Sequence, residues 1–196
     1  MASFAKSAII TFLTRVATAI ASIVITVIMA RTLGPNGQGI YSVAVLFPSL
    51  LLIFTGFGLN SSAVYFLGKE KYPSPQIFGT SIIFNSIISI FTALIGLIIV
   101  AFFGEVFFPG IEKIYLFLSL PLIPLILFFN LGCQTILGLQ KINKYNFISF
   151  FQNIIFLISV LVLLLTFHFG VTVTILSQIL SYIIAVIMKK YWILKY

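Results

Sequence analysis

A single arginine, Arg15, lies inside the first apolar stretch of the sequence, which runs from about residue 8 to residue 30 and carries no other charge. A guanidinium in hydrocarbon costs roughly 2.5–3.5 kcal/mol on insertion scales, so such a cation usually has a partner or a function. Hydroxyl side chains at steps of three and four residues share one helical face with it: Ser7, Thr11, Thr18, Ser22 and Thr26. A polar helix face that carries a cation predicts a lined cavity that receives an anionic group.

The position of Arg15 also allows a simpler interpretation. The residue lies about seven positions into the apolar stretch, which is about 11 Å at the helical rise per residue. A long side chain at that depth can extend back toward the interface and place its charge in water. The polar face around Arg15 favours the cavity over this alternative.

The elements that position this face are membrane helices. The chain is 61% hydrophobic and 7% charged over 196 residues, and its mean hydropathy is +1.25. Apolar runs of about 20 residues recur along nearly the whole chain, which is typical of an all-α protein that crosses the membrane several times. Hydropathy and turn residues predict about six spans, at about 8–30, 39–67, 77–103, 114–138, 146–167 and 171–188.

The basic residues are unevenly distributed between the two ends of these spans. Two cations fall on one side, Arg31 and Lys113, and most of the others fall on the opposite side: Lys6, Lys69, Lys71, Lys141, Lys144, Lys189, Lys190 and Lys195. This pattern predicts that both termini are cytoplasmic and that Lys189 and Lys190 anchor the last span at the interface. It also accounts for the net charge of +8, so a nucleic-acid partner is not expected.

Polar side chains recur on one face of the later spans as well. In the third span Ser81, Asn85, Ser89 and Thr92 share a face, and the other spans carry the amides Asn130, Gln134 and Asn153. Small hydroxyl residues usually allow helices to pack closely, and amides can bond across helices. The amides Asn85, Asn130, Gln134 and Asn153 are equally compatible with such bonding and with lining a hydrophilic cavity.

Acidic residues are nearly absent from the sequence. There is no aspartate, and the glutamates Glu70, Glu105 and Glu112 fall in or near predicted loops. An exporter of cationic drugs normally buries a carboxylate in the membrane, and none is available here. The sequence has no metal-ligand cluster and no phosphate-binding glycine loop, and His168, its one histidine, falls in a predicted outer turn. We therefore expect no bound metal, no cofactor and no enzymatic activity.

Three short motifs resemble the polysaccharide biosynthesis flippases, the Wzx-type O-antigen and related exporters of the MOP (multidrug/oligosaccharidyl-lipid/polysaccharide) superfamily. The run from Arg31 through Thr-Leu-Gly-Pro to Gly39-Ile-Tyr41 looks like the junction of their first two spans. Gly56-Phe-Gly-Leu-Asn60, with Tyr65 and Gly68-Lys69, is similar to the end of their second span. Leu137-Gly-Leu-Gln-Lys141, followed by Tyr145-Asn146, is similar to their fourth-to-fifth loop.

The resemblance implies a role for Arg15 and a partner for the chain. Arg15 matches in position a first-span arginine of the related lipid II flippases, which faces the central cavity and meets the substrate's diphosphate. These flippases consist of two lobes of six helices each, with the pathway between the lobes. Residues 1–196 resemble the N-terminal lobe alone, so the chain could be a truncated or split gene product, a fragment, or a half-transporter that pairs with a second lobe.

The sequence thus predicts a multi-pass protein of the cell (inner) membrane that moves polyprenyl-diphosphate-linked oligosaccharides across that membrane, with the lipid tail remaining among the membrane lipids. Arg15 would bind phosphate, and Asn85, Asn130, Gln134 and Asn153 would line the sugar path. The alternatives are a multidrug exporter of the same superfamily and a truncated membrane protein without transport activity. A second lobe, either another copy or a separate chain, would complete the pathway.

Overall fold

The protein is a helical bundle, as the composition predicts. The computed structural model describes residues 2–55, 59–69, 73–166 and 170–193. Every regular element in these ranges is a helix, because a chain in lipid must satisfy its backbone hydrogen bonds internally. The helices are α1 (Ala2–Thr55), α2 (Leu59–Gly68), α3 (Ser74–Phe107), α4 (Lys113–Ser119), α5 (Leu122–Gly138), α6 (Ile142–Thr166) and α7 (Gly170–Ile193). The motif residues 56–58 and the predicted turn at His168 lie outside the described residues.

Helix α1 contains the first predicted span and residues 39–55 of the second, and it is interrupted between the two. Gly34 has φ 69° and ψ 175°, a backbone conformation that glycine adopts without steric cost. Pro35 follows and cannot donate the next helical hydrogen bond. The helix therefore consists of an N-terminal arm, residues 2–33, and a C-terminal arm, residues 35–55.

Five helical segments are long and apolar enough to cross a membrane, compared with the six spans expected. The difference arises in α1, where one segment of 49 residues, Ser7–Thr55, covers the first predicted span and residues 39–55 of the second. The described remainder of the second predicted span belongs to the separate helix α2. The other four segments correspond one to one with the predicted third to sixth spans: Gln76–Phe107, Lys113–Gly138, Ile142–Leu164 and Gly170–Lys189. The third of these five segments is broken into α4 and α5 beside Pro121, because a proline cannot donate the helical hydrogen bond at its position.

Three apolar clusters hold the bundle together. The first, around Phe47, Val100 and Ile123, joins the C-terminal arm of α1 to α3, α4 and α5. The second joins the N-terminal arm to α6, and the third joins Ala44 of the C-terminal arm to Ile175 of α7. Leu33 belongs to the rim of both the second and the third cluster, so both arms pack around the break at Gly34.

The outside of the bundle is apolar. Large hydrophobic side chains such as Phe54, Phe102 and Val106 are more than 70% exposed. A soluble protein rarely shows so much contiguous apolar surface, whereas lipid is a favourable surrounding for it. The outward faces of the helices therefore fit a protein that is embedded in a membrane.

Gly96 marks the closest approach of α3 to its neighbours. A Cβ atom at this position would lie 2.8 Å from Cδ2 of Leu120 and 3.0 Å from Cδ1 of Leu51. We expect Gly96→Leu to destabilise the protein by about 1–3 kcal/mol through overpacking, measured as a lower unfolding temperature in detergent. Gly79→Leu in the same helix is the matched control, because nothing lies within 4 Å of a Cβ there. Equal unfolding temperatures of the two variants would contradict this packing.

Candidate functional site

A polar cavity of about 440 Å³ lies between both arms of α1, α6 and α7. Most of its lining side chains are hydroxyls, amides or tyrosines. We call it the polar cavity, and its lining residues are Ser22, Ile25, Thr26, Met29, Gln38, Tyr41, Ser42, Gln152, Asn153, Phe156, Gln178 and Tyr182. The break at Gly34 creates it, because that break returns the C-terminal arm beside the N-terminal arm and brings their polar residues together.

Hydrogen bonds between helices fix the wall of this cavity. The Tyr41 hydroxyl donates to Oε1 of Gln178 (3.2 Å), which joins the C-terminal arm to α7. Nε2 of Gln152 donates to the Ser181 hydroxyl (3.2 Å), which joins α6 to α7. The wall is therefore held in place by the same amides and hydroxyls that face the cavity.

The polar face of α1 opens on the cavity at one end only. Ser22 and Thr26 line the cavity, and their hydroxyls donate to the carbonyl oxygens four residues earlier, at 3.0 and 2.9 Å. Each hydroxyl oxygen keeps acceptor capacity toward the cavity. Arg15 precedes Ser22 by seven residues, which is two helical turns or about 10 Å along the same face.

Arg15 itself lies in a separate depression of about 440 Å³, where its neighbours are mostly apolar: Ser7, Ala8, Thr11, Phe12 and Ile142. The residue is exposed, and within the described residues its guanidinium has no hydrogen bond and no ion pair. The expected single cavity around the whole polar face is therefore divided in the structure. Arg15 shares one site with the hydroxyls of Ser7 and Thr11, whereas Ser22 and Thr26 line the other.

Asn153 is the one amide of the four candidates that lines the polar cavity. Its Nδ2 donates to the carbonyl oxygen of Ser149 (3.0 Å). Asn85 is 1% exposed inside the bundle, where its Nδ2 donates to the carbonyl oxygen of Ser81 (2.8 Å). Its Oδ1 has no hydrogen-bond partner among the residues that the structure describes. Asn130 is exposed and Gln134 is half-buried, both on α5. The structure thus does not bring the four amides into one cavity.

Bonding between helices explains several of the other polar residues. Nδ2 of Asn146 donates to the Thr11 hydroxyl (2.7 Å), which ties the start of α6 to the polar face of α1. The Thr92 hydroxyl donates to the Thr55 hydroxyl (2.8 Å) and ties α3 to α1. Ser89 and Thr92 are buried, as their shared helical face predicts. At these positions the polar side chains hold helices together, as small polar residues do in membrane proteins.

Lys189 lies inside the bundle and not at its interface, which corrects the expectation that it anchors the last span. Its side chain is 2% exposed. Nζ donates to the carbonyl oxygen of Phe129 (2.5 Å) and to Sγ of Cys133 (2.9 Å), and it lies 3.1 Å from the centre of the Phe129 ring. Its partners in the described part of the chain include no carboxylate. We call Lys189, Phe129 and Cys133 the Lys189 cluster.

Gly132 of α5, which has no side chain, leaves room for the aliphatic part of the Lys189 side chain. A Cβ at Gly132 would lie 2.8 Å from Cδ of Lys189, so the aliphatic part of the side chain runs directly over the glycine. The Phe129 ring also packs edge-on against Tyr182, with centroids 5.3 Å apart. Because Tyr182 lines the polar cavity, this ring contact joins the Lys189 cluster to the cavity wall.

Several residues of the cavity wall were not among the predicted site residues. Tyr41, the last residue of the motif between the first two spans, bonds to Gln178 in the wall. Gln38 and Ser42 lie one helical turn apart on the C-terminal arm, as do Gln178 and Tyr182 on α7. The four-residue spacing in each pair indicates that its two side chains share a helix face. It does not indicate which neighbouring helix that face meets.

Comparison with known proteins identifies the family. A family model described as "Polysaccharide biosynthesis protein" matches residues 4–196. The chain belongs to this family. No curated protein sequence matches the chain significantly.

The fold of this polysaccharide biosynthesis family member is similar to that of a solved transporter. The structure is described as the outward-facing conformation of a multidrug resistance MATE family transporter of the MOP superfamily. The two chains superpose with a TM-score of 0.77 at 15% sequence identity, over 94% of this chain and 43% of the transporter. The chain therefore spans less than half of that transporter's length. Family and fold together identify a multi-pass membrane protein with a transporter fold.

Proposed function

We propose that the protein is one lobe of a flippase that moves polyprenyl-diphosphate-linked oligosaccharides across the cell's inner membrane. The observation that carries this proposal is the polar face of α1. An exposed cation, Arg15, lies at one end of that face, and the uncharged polar cavity begins about 10 Å further along it. A lipid-linked glycan has the same arrangement, because an anionic diphosphate joins its lipid tail to an uncharged or weakly charged sugar chain.

At each end of this α1 face, the side chains fit the corresponding part of such a substrate. The planar guanidinium of Arg15 can bind a phosphate through two parallel hydrogen bonds, and this pairing is strongest where water is scarce. Asn153, Gln152 and Gln178 offer amide donors and acceptors to sugar hydroxyls. The lipid tail would remain in the bilayer, and no covalent chemistry is required. Of the candidate site residues, the proposal keeps Arg15 and Asn153 and gives no substrate role to Asn85, Asn130 or Gln134.

A second lobe is part of the proposal. The segment that contains Arg15 is the least buried of the five membrane segments, at 11% compared with 28–39% for the others. A guanidinium that faces lipid is costly, whereas the same face could line a water-filled pathway between two lobes. The solved transporter is more than twice as long as this chain, which leaves room for a second lobe of similar size. That lobe would be another copy of the chain or a separate one.

The lysine distribution supports an orientation with both termini in the cytoplasm. The loop between α3 and α4 would then face outward, and the link between α5 and α6 would face inward. Glu112→Cys and Asn143→Cys test this, because both positions are exposed while the native Cys133 is buried. A membrane-impermeant maleimide added to intact cells should label Glu112→Cys and leave Asn143→Cys unlabelled, and the reverse pattern would overturn the orientation.

A vesicle assay tests the function directly. Inside-out vesicles from cells that express the protein are given a fluorescent polyprenyl-diphosphate oligosaccharide on their outer surface. We expect this label to become protected from an added glycosidase faster than in vesicles that lack the protein. The multidrug alternative, which the solved neighbour's description raises, predicts instead that ethidium accumulates in these vesicles. Accumulation of ethidium without protection of the glycan would overturn the proposal.

A further inference from the structure

The lining of the polar cavity contains both hydrogen-bond donors and acceptors but no ionic group. Among the described residues that line it, none carries a charge at neutral pH, and the polar ones are hydroxyls, amides and the tyrosines Tyr41 and Tyr182. We infer that this cavity is a subsite for uncharged sugars and that it excludes sugars with a carboxylate group. The inference rests on the proposed function and adds the chemical class of glycan that this lobe accepts.

The cations nearest to the cavity are directed elsewhere. Arg15 lies seven residues before Ser22, about 10 Å along α1. Lys189 lies seven residues after Tyr182 on α7, and its ammonium is already engaged by the Phe129 carbonyl oxygen, the Phe129 ring and Sγ of Cys133. Arg31 follows the lining residue Met29 by two positions, which is more than half a helical turn and places it on the opposite face. A carboxylate in the cavity would therefore have no ion-pair partner among the described lining residues.

Neutral sugars match this lining in a way that charged sugars do not. A hydroxyl or acetamido group both donates and accepts hydrogen bonds, as do the amides of Gln152, Asn153 and Gln178. The tyrosine rings offer apolar surface to the C–H faces of a pyranose while their hydroxyls remain polar. A carboxylate offers acceptors only, and its charge loses hydration when it enters the cavity without gaining an ion pair.

Binding of two matched trisaccharides tests the inference. The full chain, purified in detergent, is titrated with maltotriose, which is uncharged, and with trigalacturonate, which carries three carboxylates, and saturation-transfer NMR measures the affinity of each. We expect saturable binding of maltotriose and at least tenfold weaker binding of trigalacturonate. Asn153→Leu should weaken maltotriose binding at least fivefold. Asn143→Leu is the matched control, because Asn143 is an exposed residue of the same helix outside the cavity, and it should bind as the wild type does.

A variant that should shift the binding preference toward the charged trisaccharide completes the test. Gln38 is half-buried in the cavity wall, and within the described residues its side chain has no hydrogen bond. Gln38→Lys should therefore add a cation with little disturbance and strengthen trigalacturonate binding at least fivefold. Equal affinities of the wild type for both sugars, binding of neither sugar, or an unchanged affinity in Asn153→Leu would each overturn the inference. Selective maltotriose binding without glycan translocation in vesicles would instead leave the subsite standing and refute the flippase.

Discussion

Vesicles that carry Arg15→Ala are expected to translocate a polyprenyl-diphosphate oligosaccharide roughly 10- to 150-fold more slowly than vesicles with the wild-type protein. Arg15 is exposed in its depression and has no ionic partner within the described chain, so its guanidinium is free to bind an anion. One charge-assisted hydrogen bond contributes about 1.5–3 kcal/mol, and each 1.4 kcal/mol changes a rate or an affinity about tenfold. Protection of the labelled glycan from glycosidase measures this rate.

Two further variants separate charge from geometry. Arg15→Lys keeps the cation but loses the planar pair of donors, so its rate should fall between those of the wild type and Arg15→Ala. Arg31→Ala removes an exposed arginine near the break at Gly34 in the same helix, and it should leave the rate unchanged. A wild-type rate in Arg15→Ala would support the simpler interpretation, in which Arg15 only extends to the interface.

Lys189→Glu is expected to destabilise the bundle by about 3–5 kcal/mol, which is the typical cost of leaving a buried charge without its partner. The carboxylate would lie where Nζ now meets the Phe129 carbonyl oxygen and the face of the Phe129 ring. Both of these groups carry partial negative charge, so they would repel it. Thermal unfolding in detergent with a thiol-reactive dye measures the loss, because Cys133 is the one cysteine of the chain and is buried.

Two control variants distinguish the effect of the charge at position 189 from the effects of side-chain size and of burial. Lys189→Met keeps most of the volume over Gly132 and removes the charge, so it should unfold near the wild-type temperature. Lys69→Glu reverses an exposed lysine that lies 4.4 Å from the Tyr65 ring, and it should cost about 1 kcal/mol or less. If Lys189→Glu unfolds at the same temperature as Lys69→Glu, Lys189 is not enclosed in the bundle.

The separation of Arg15 from the polar cavity follows from the packing of other helices against α1. Steps of three and four residues place Arg15 and Ser22 on one face, as the sequence indicates. Along that face, however, the neighbours change, since Ile142 at the start of α6 lies beside Arg15 and the C-terminal arm lies beside Ser22. One helical face therefore contributes to two different sites.

The amides illustrate how far periodicity alone can predict a site. Asn85 and Asn153 each lie on a polar helix face, and each donates Nδ2 to the carbonyl oxygen four residues earlier. Yet Asn85 is buried in the bundle, whereas Asn153 opens on the polar cavity. Their local sequences do not distinguish them, because the difference depends on which helix packs against each face.

The membrane class, the helical fold, four of the membrane segments, the interruption between the first two spans and the family could all be predicted from the amino-acid sequence. These features depend on hydropathy, turn residues and short motifs, which are local properties of the chain. The shared cavity of Tyr41, Gln152 and Gln178 and the inward position of Lys189 became visible only in the folded bundle. Both outcomes depend on contacts between residues far apart in the chain, such as the 60 positions between Phe129 and Lys189. Helical spacing defines the faces of one helix, whereas packing determines what each face meets.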